Sequence, residues 1–372
     1  MLDRYSDDLK GLVAQHRCRS IVARRGTDFS SNDYLAIASD PALRAAIRTA
    51  LDRGVSIGSG GSRLLRGNAP EHEALEREAA AFYGSQAALF LSSGYVANSA
   101  LLATLPQRGD HIFHDKLVHA SAHEGMRLAR CGASSVAHND AEAFKRAIVR
   151  WRADGGTGRP WIIVESLYSM DGDRAPLDAL MTIADRHDGF LVIDEAHATG
   201  VFGTNGRGLA EALQHHENVV VLRTLGKALG CEGALICCAA ILRDYLVNRA
   251  RGFIFSTAPS PLMAAAASAA IRLVADADDR RARLRALWTH AGDRLARHGA
   301  SATNSPIVPL VLGDDARAMS VAGRLQAAGH DVRGIRPPTV APGTARLRIA
   351  LTLNVGIDEI DALDRALGAA LA

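Results

Sequence analysis

The sequence is poor in cysteine, in net charge and in long apolar runs, and each shortage excludes a class of protein. Its five cysteines, odd in number and never spaced as C-x-x-C, argue against a disulfide framework or a structural zinc and fit a reducing cytoplasm. The 43 basic and 40 acidic residues are mixed along the chain and leave a net charge of +3, which argues against a nucleic-acid partner. The longest weakly polar runs, 233–242 and 261–271, are too short to cross a bilayer, and the charged residues 1–10 do not form a signal peptide. We therefore expect neither export nor a membrane partner.

The length and the balance of residues indicate a folded chain with more than one core. Apolar residues make up 48% of the 372 residues and charged residues 22%, which excludes a disordered chain and a coiled coil. Because a single hydrophobic core stops growing at roughly 250–300 residues, we expect two unequal domains.

Short apolar runs alternate with helix-period stretches between about residues 85 and 240. Leu75, Ala79 and Phe82, for example, would share one face of a helix. The runs that predict buried strands are 87–91, 161–164, 190–193, 219–222 and 234–238. This alternation predicts an α/β fold with a mostly parallel sheet.

The composition changes toward the C-terminus. A long Ala/Arg helix region covers 261–298, and a strand-like run follows at 345–353. We therefore predict a large domain over 41–264 and a smaller α+β domain over 265–372, which residues 1–40 join.

Ionisable residues follow two of the predicted strands. Asp194 ends the run 190–193 with His197 three residues on, and Lys227 follows the next strand. The carboxyl ends of parallel strands meet at one edge of a sheet, so these groups are expected in one crevice. A lysine among small and apolar residues usually extends its amine to water, but together the three groups match what pyridoxal phosphate requires. These requirements are an amine for the aldehyde, a carboxylate for the pyridine nitrogen, and donors for the ring oxygen and the phosphate.

The letters of residues 194–197 also spell the DEAH box of helicase-type ATPases. That interpretation requires a G-x-x-x-x-G-K-[ST] loop to hold the phosphates. The only Gly-Lys pair, Gly226 and Lys227, is followed by Ala228, so the ATPase hypothesis fails.

Residues 224–233 satisfy the whole lysine motif of the α-oxoamine synthases, a family of fold type I pyridoxal-phosphate enzymes. The resemblance extends over nearly the entire chain. Further segments that resemble the family, in family order, are 29–35, 58–64, 72–76, 93–98, 119–121, 138–140, 169–177 and 255–257. It implies a large domain with a mostly parallel sheet, a smaller domain, and acyl transfer to an amino acid.

The resemblance implies a role for each residue near the cofactor ring. Lys227 would bind the cofactor covalently and, once the amino acid displaces it, remove the α-proton. Asp194 would pair with the protonated pyridine nitrogen, and His197 would contact the phenolic oxygen. His119 would stack on the ring and touch the substrate.

The cofactor phosphate needs a group of donors, and a helix N-terminus supplies them. The Gly94 and Tyr95 amides lie between the strand 87–91 and the helical run from residue 96, although such a segment is often only a helix cap. By resemblance, Ser169 and Thr224 add hydroxyl groups. Thr257 resembles a residue that reaches in from a second subunit, which implies a homodimer.

The α-carboxylate of the amino acid requires a guanidinium fork, because a bidentate partner fixes its orientation. Arg348 is the family match, with Asn32 assisting. Arg346 has the same strand parity and would emerge on the same face, so the choice of Arg348 depends on the resemblance.

The residues that contact the acyl donor, and the identity of that donor, are predicted only from the resemblance. Thr339 matches a substrate-contacting threonine, and Arg17 or Arg19 would meet the donor's distal carboxylate or its carrier. Residues 334–348 most resemble members that condense L-alanine with a pimeloyl thioester, carried by coenzyme A or by an acyl carrier protein. The alternatives are a sibling transferase that joins glycine to acetyl-CoA or succinyl-CoA, and an inactive protein that keeps the fold for binding; the intact candidate residues count against the latter.

Four histidines lie close together in sequence and raise the possibility of a metal site. His119 and His123 share a helical face, with His111 and His114 before them. There is no H-E-x-x-H pattern and no third ligand of evident spacing, so we expect no metal.

Four positions depart from the family pattern. Asn354 follows Leu353 where relatives often carry a His-containing turn. Gly226 stands where serine is usual, Ala36 where glycine is usual and Arg66 where serine is common. The loss of a hydroxyl at Gly226 would weaken cofactor binding by about 1 kcal/mol. None of the four removes an assigned chemical group.

Overall fold

The computed structural model describes residues 1–372, which divide into two compact units. The large unit consists of Leu35–Tyr168 and Arg174–Asp278, and the small unit of Met1–Tyr34, Ser169–Asp173 and Asp279–Ala372. Residues 35–40 and 265–278, predicted for the small domain, therefore belong to the large unit. The predicted helix region 261–298 consists of two α-helices, Pro261–Ala275 and Asp278–Leu295, followed by a 3₁₀ turn at Ala296–His298. The chain changes unit after Asp278, the first residue of the second helix.

The chain forms thirteen α-helices and twelve strands. The helices are α1 (Asp3–Ala14), α2 (Pro41–Asp52), α3 (Pro70–Tyr83), α4 (Gly94–Thr104), α5 (Ala120–Leu128), α6 (Ala141–Ala153), α7 (Leu177–Arg186), α8 (Ala240–Arg249), α9 (Arg251–Ile254), α10 (Pro261–Ala275), α11 (Asp278–Leu295), α12 (Asp315–Ala327) and α13 (Ile357–Leu371). The strands are β1 (Thr27–Asp28), β2 (Ala87–Leu91), β3 (His111–Asp115), β4 (Gly132–Val136), β5 (Pro160–Glu165), β6 (Phe190–Asp194), β7 (Val219–Thr224), β8 (Ala234–Cys238), β9 (Ile307–Gly313), β10 (His330–Asp331), β11 (Arg333–Ile335) and β12 (Ala345–Ala350). No helix is both long and apolar enough to span a membrane.

A seven-stranded sheet of order β2-β8-β7-β6-β5-β3-β4 forms the centre of the large unit. Only β8 is antiparallel to its neighbours, so the predicted α/β fold with a mostly parallel sheet is confirmed, as are the five predicted strands. Two strands were missed. β3 contains His111, His114 and Asp115, and the small and polar residues of β4 are mostly exposed, so neither has the apolar run that marks a buried strand.

Side-chain caps fix where the helices of the large unit begin. Ser93 accepts a hydrogen bond from the Val96 amide, so α4 starts two residues earlier than the predicted residue 96. Ser260 caps α10 in the same way, and Pro261 occupies the first helical position. The strands β2, β5, β7 and β8 are buried along their whole length except at Thr224, the last residue of β7, and helix α4 packs against β2, β7 and β8 in the core.

The small unit contains an antiparallel sheet of order β11-β12-β9 and a short parallel pair, β1 and β10. β12 is the central strand and is buried along its whole length. It ends at Ala350, three residues before the end of the predicted strand-like run. Strand β12 carries both Arg346 and Arg348 into the interior of this unit.

Candidate active site

Asp194 ends β6 at the carboxyl edge of the large sheet and is 9% exposed. Its Oδ1 accepts a hydrogen bond from the Ala196 amide at 2.9 Å, and its Oδ2 accepts one from Asn98 Nδ2 at 2.7 Å. Both donors are neutral, so the hydrogen bonds orient the carboxylate without cancelling its charge. A carboxylate in this state favours a cationic partner.

Lys227 follows β7, the parallel neighbour of β6, and meets the loop that follows β6. Its Nζ lies 2.8 Å from Nε2 of His197. The structure therefore brings together the predicted lysine and one predicted ring-oxygen donor, in the crevice where parallel strands present their carboxyl ends.

His119, the N-cap of α5, is connected to Asp194 through two side chains. Asn98 Nδ2 donates both to Asp194 Oδ2 and, at 3.0 Å, to the hydroxyl oxygen of Ser121. That hydroxyl oxygen lies 2.8 Å from His119 Nδ1. Burial lowers the pKa of His119, as does the nearby charge of Lys227, while Asp194 acts in the opposite direction. The ring is therefore neutral near pH 7, and because Nδ1 accepts from the Ser121 amide, its proton resides on Nε2.

The N-terminus of α4 forms the candidate phosphate site. Ser93 Oγ is occupied by the Val96 amide, so the Gly94 and Tyr95 amides remain at the open first turn. A Cβ placed on Gly94 would lie 3.6 Å from the hydroxyl of Thr224, which shows how near that hydroxyl is to the first turn. Amides at a helix N-terminus together with a hydroxyl are a suitable donor set for a phosphate.

The donor set of the large unit fits pyridoxal phosphate. It comprises the amine of Lys227, the uncancelled carboxylate of Asp194, and the first turn of α4 beside Thr224. These three features correspond to the cofactor's aldehyde, its pyridine nitrogen and its phosphate.

In the small unit, Arg348 is 6% exposed and bonded only to neutral oxygens. Its Nε donates to the Ser169 carbonyl at 2.6 Å and its NH2 to Asn32 Oδ1 at 2.9 Å, with the Tyr34 hydroxyl at 3.5 Å. The guanidinium is thus held in place with its charge uncancelled. Such a group is suited to a carboxylate ligand.

Arg346 emerges on the same face of β12 but forms an ion pair with Asp171. Its charge is therefore already matched inside the small unit. Residues 169–171 receive both arginines, which agrees with the predicted shared parity. This difference in partners supports the choice of Arg348 over Arg346 by a physical criterion that the sequence did not contain.

The remaining predicted residues form no hydrogen bond or ion pair with these clusters. Thr257 is exposed on the large unit, where it lines a small recess with Phe253. In the small unit, Thr339 is exposed, and Arg17 forms an ion pair with Asp315 at 2.8 Å. The Ser169 carbonyl is committed to Arg348, so the contribution of Ser169 to the phosphate, like these other roles, stays a prediction.

Two residues of the network, Asn98 and Ser121, had no assigned role in the sequence analysis. Asn98 is a buried amide, one turn after Gly94, in a helix whose other buried residues are all Ala or Leu, and this contrast is the signal that identifies it. Ser121 gave no comparable signal, because a serine in the first turn of a helix is ordinary.

The neighbouring histidines have structural partners. His111 bonds the Ser134 hydroxyl at 2.8 Å, and Nδ1 of His114 bonds the Asp115 carbonyl at 2.9 Å. The His123 ring packs edge-on against His114 at 5.0 Å. No group of three or more His, Cys, Asp or Glu side chains is arranged to hold a metal ion.

Ala36, one of the departures from the family pattern, adopts a left-handed conformation with φ of 53°. Glycine adopts this conformation without penalty, whereas alanine costs about 1 kcal/mol. The backbone therefore explains why glycine is usual at this position.

The fold and the site define a pyridoxal-phosphate-dependent transferase of fold type I, and the chain belongs to the family of class I and II aminotransferases, whose profile matches residues 24–363. Among curated proteins, it is 44% identical over 365 residues to the 8-amino-7-oxononanoate synthase of Anaeromyxobacter dehalogenans, covering 97% of this chain and 89% of that protein. It is 42% identical over 348 residues to the enzyme of that name from Chromobacterium violaceum, covering 92% of this chain and 88% of that one.

Two solved structures have the same fold. The 8-amino-7-oxononanoate synthase of Francisella tularensis superposes with a TM-score of 0.78 at 29% identity, covering 93% of this chain and 98% of that one. A serine palmitoyltransferase from S. paucimobilis, solved with a pyridoxal phosphate–myriocin adduct, superposes with a TM-score of 0.89 at 27% identity, covering 99% and 97%. The predicted family and fold type are confirmed.

Proposed function

We propose that the protein is an 8-amino-7-oxononanoate synthase that condenses L-alanine with a pimeloyl thioester and releases carbon dioxide and the thiol carrier, a step of biotin biosynthesis. The observation that supports this choice is 44% identity to a synthase of that name over 97% of the chain. The Lys227 and Asp194 arrangement supports the chemistry.

Arg348 and Asn32 would bind the carboxylate of L-alanine. A guanidinium with an uncancelled charge holds that group and sets which bond at Cα is broken. Lys227 then removes the α-proton, and its 2.8 Å contact with His197 keeps the amine in position. His119, with its proton on Nε2, can donate to an oxygen of the substrate.

Pyridoxal phosphate, when bound, withdraws electrons from the amino acid's Cα. Asp194 keeps the pyridine nitrogen protonated, and Asn98 fixes the orientation of that carboxylate. The Gly94 and Tyr95 amides, with Thr224 and Ser169, would hold the phosphate. On the acyl side, Thr339 and Arg17 would contact the donor.

We further propose that the active unit is a cytoplasmic homodimer in which Thr257 of one subunit completes the phosphate site of the other. The exposure of Thr257 and of Phe255 two residues earlier, 70% exposed, supports a covered surface there. Thr257→Ala should weaken cofactor binding by about 1 kcal/mol, so its activity is measured at a cofactor concentration that leaves most of its sites empty. Mixing it with inactive Lys227→Ala chains should then raise the activity, to at most a quarter of that of the unmodified protein, if sites are shared. A mixture no more active than the Thr257→Ala chains it contains would exclude a shared site.

Turnover with a matrix of substrates tests the activity. L-alanine, glycine and L-serine would each be incubated with pimeloyl-CoA, acetyl-CoA, succinyl-CoA and palmitoyl-CoA, and thiol release would be recorded. We expect L-alanine with pimeloyl-CoA to dominate. Preference for glycine with a short acyl group would reassign the protein to a sibling transferase, and absence of turnover with every pair would support an inactive binding protein.

A further inference from the structure

Asp115 is a fully buried carboxylate that has no part in the proposed reaction. It ends β3 at the carboxyl edge of the large sheet, the edge at which Asp194 ends the parallel strand β6. Burial raises the pKa of Asp115, but the hydrogen-bond donors around the carboxylate outweigh burial and hold that pKa below its ordinary value. The group is therefore charged near pH 7, at a depth where an anion is stable only because of these donors.

The Asp115 carboxylate joins the two loops that follow β3 and β4. Within its own loop, Oδ1 accepts a hydrogen bond from the Leu117 amide at 2.8 Å. From the loop after β4, Oδ2 accepts one from the Asn139 amide at 2.8 Å. Nδ1 of His138 lies 2.9 and 3.0 Å from the two carboxylate oxygens, so this nitrogen carries the proton. The segment 138–140, which resembles the family but had no assigned role, is therefore a partner of Asp115.

The loop after β3 leads directly to His119, and each amide between Asp115 and His119 has a partner. The Lys116 amide donates to a carbonyl of β4 at 3.0 Å. The Leu117 and Val118 amides both donate to Asp115, the first to its side chain and the second to its carbonyl at 3.3 Å. The backbone that carries the imidazole is therefore fixed to β3 and β4 up to the residue before it.

We propose that Asp115 is a positioning residue for His119, whose imidazole it holds against the face of the cofactor ring by fixing the loop between them. Ser121 holds the same side chain from its other end, with its hydroxyl oxygen 2.8 Å from Nδ1 of the ring. A displacement of about 1 Å in a group that contacts the substrate can cost about 10²-fold in rate, so the rigidity of this loop should be measurable in the kinetics. The inference rests on the proposed function only for the role of His119.

Asp115→Asn is the direct test, and Asp110→Asn is its matched control. Asp110 lies just before β3, at the opposite edge of the sheet. Its carboxylate also accepts from N–H groups, namely two backbone amides at 2.7 and 2.8 Å and the Trp161 indole at 2.9 Å. Each variant replaces a hydrogen-bonded carboxylate by an amide of the same shape, so both should lower the urea midpoint. Only Asp115→Asn should displace His119.

Visible circular dichroism of the holoenzyme without substrate measures this displacement without turnover, because a stacked ring makes the surroundings of the bound cofactor asymmetric. The amplitude of the cofactor band, per bound cofactor, should fall in Asp115→Asn to the level of a His119→Gln variant. It should stay unchanged in Asp110→Asn. An unchanged band in Asp115→Asn, or an equal loss in both aspartate variants, would overturn the inference.

A double-mutant cycle then separates positioning from a general loss of structure. With the amino acid and acyl thioester that the substrate matrix selects, Asp115→Asn should lower kcat/KM roughly 10²-fold. In a His119→Gln chain, the same change should lower it by no more than about twofold, because no imidazole remains to be positioned. Equal factors in the two backgrounds would mean that Asp115 serves only the fold.

A second pair of variants answers the same question if Asp115→Asn does not fold. His138→Leu removes the N–H that faces the carboxylate, whereas His138→Asn retains one. The dichroism and kcat/KM should fall in His138→Leu alone, and equal values in the two variants would overturn the inference. If no acyl donor is turned over but the dichroism of Asp115→Asn falls, the positioning role stands and the synthase function fails. If L-alanine and pimeloyl-CoA are turned over equally well by Asp115→Asn and the unmodified protein, the function stands and the positioning role fails.

Discussion

Asp194 and Glu195 are consecutive carboxylates in two regions with opposite electrostatics. Asp194, at the sheet edge, accepts only from neutral amides. Glu195 points into the interior, where its Oε2 forms an ion pair with fully buried Arg223 at 2.6 Å. Burial raises the pKa of Glu195, and Arg223 opposes that rise. The charge of Asp194 is therefore available to pair with a ligand, whereas the charge of Glu195 is already neutralised inside the fold.

The small unit repeats this contrast on one strand. Arg348 is held by neutral oxygens, and Arg346, two residues earlier, is paired with Asp171. In both units, the residue with an uncancelled charge is the one that the family resemblance had selected. A buried charge with neutral partners is therefore a criterion for a ligand-facing group, and the following variants test it.

Removal of the Lys227 amine should have the largest effect. We expect Lys227→Ala to lower kcat by about 10⁴-fold or more, because the group that moves the α-proton is lost. The borohydride-reducible absorbance of the bound cofactor should also disappear, as recorded by spectrophotometry. Lys116→Ala, at an exposed lysine of the large unit, is the control. A Lys227→Ala protein that keeps the reducible absorbance would show that the lysine is assigned wrongly.

The second variant removes the charge of Glu195, the carboxylate that is paired inside the fold. Glu195→Gln should destabilise the fold by about 3–5 kcal/mol, because it leaves the Arg223 charge buried without a counter-ion. Urea unfolding measures this loss. The remaining folded protein should bind cofactor normally. A stability equal to that of the unmodified chain would mean that the ion pair does not serve the fold.

The third variant, Asp194→Asn, removes the charge of the carboxylate that has only neutral partners. The change keeps the shape of the side chain but removes its charge, so kcat/KM should fall about 10²–10³-fold. It also turns one of the two hydrogen-bond acceptors into a donor that faces an N–H group, so the free energy of unfolding should fall by about 1–3 kcal/mol, less than in Glu195→Gln. Steady-state kinetics and urea unfolding measure the two quantities. If Asp194→Asn and Glu195→Gln exchanged their effects, the interpretation of the two carboxylates would be reversed.

The sequence predicted the edge of the large sheet well, because Asp194, His197 and Lys227 each lie just after a strand with an unbroken apolar run. It missed β3, whose histidines and aspartate interrupt that run. It could not separate Arg346 from Arg348, because their partners lie in residues 32 and 169–171, which only the fold brings to β12. The Asn98 link to Asp194 was missed for the same reason, since 96 positions separate the two residues.

The two arginines of β12 give a smaller effect. Arg348→Lys should raise the KM for L-alanine roughly tenfold, because an ammonium cannot replace the guanidinium fork. Arg346→Lys should leave that KM unchanged, since Arg346 is already committed to Asp171. Initial rates over a range of L-alanine concentrations decide the matter. An equal rise in both variants would remove the distinction between them.

The smallest predicted effect is on the pH dependence of stability, and it concerns His72, a buried ring that is uncharged and has neutral hydrogen-bond partners. The His72 ring is fully buried, with Nδ1 accepting from the Ala69 amide and Nε2 bonded to the Pro259 carbonyl at 2.7 Å. Burial lowers the pKa of His72 below its ordinary value of 6.5. At a pH between the lowered pKa of the folded ring and the ordinary value of 6.5, the unfolded chain binds a proton that the folded chain does not.

The free energy of unfolding should therefore fall as the pH drops below about 6.5, by at most about 1.4 kcal/mol per pH unit for this residue. Urea unfolding at a series of pH values measures the slope, to which His111, His119 and His123 contribute in the same direction. His72→Gln should make the slope shallower, because it removes one titrating group. An unchanged slope would mean that His72 binds its proton equally in both states, and that its neutral partners do not hold the ring uncharged.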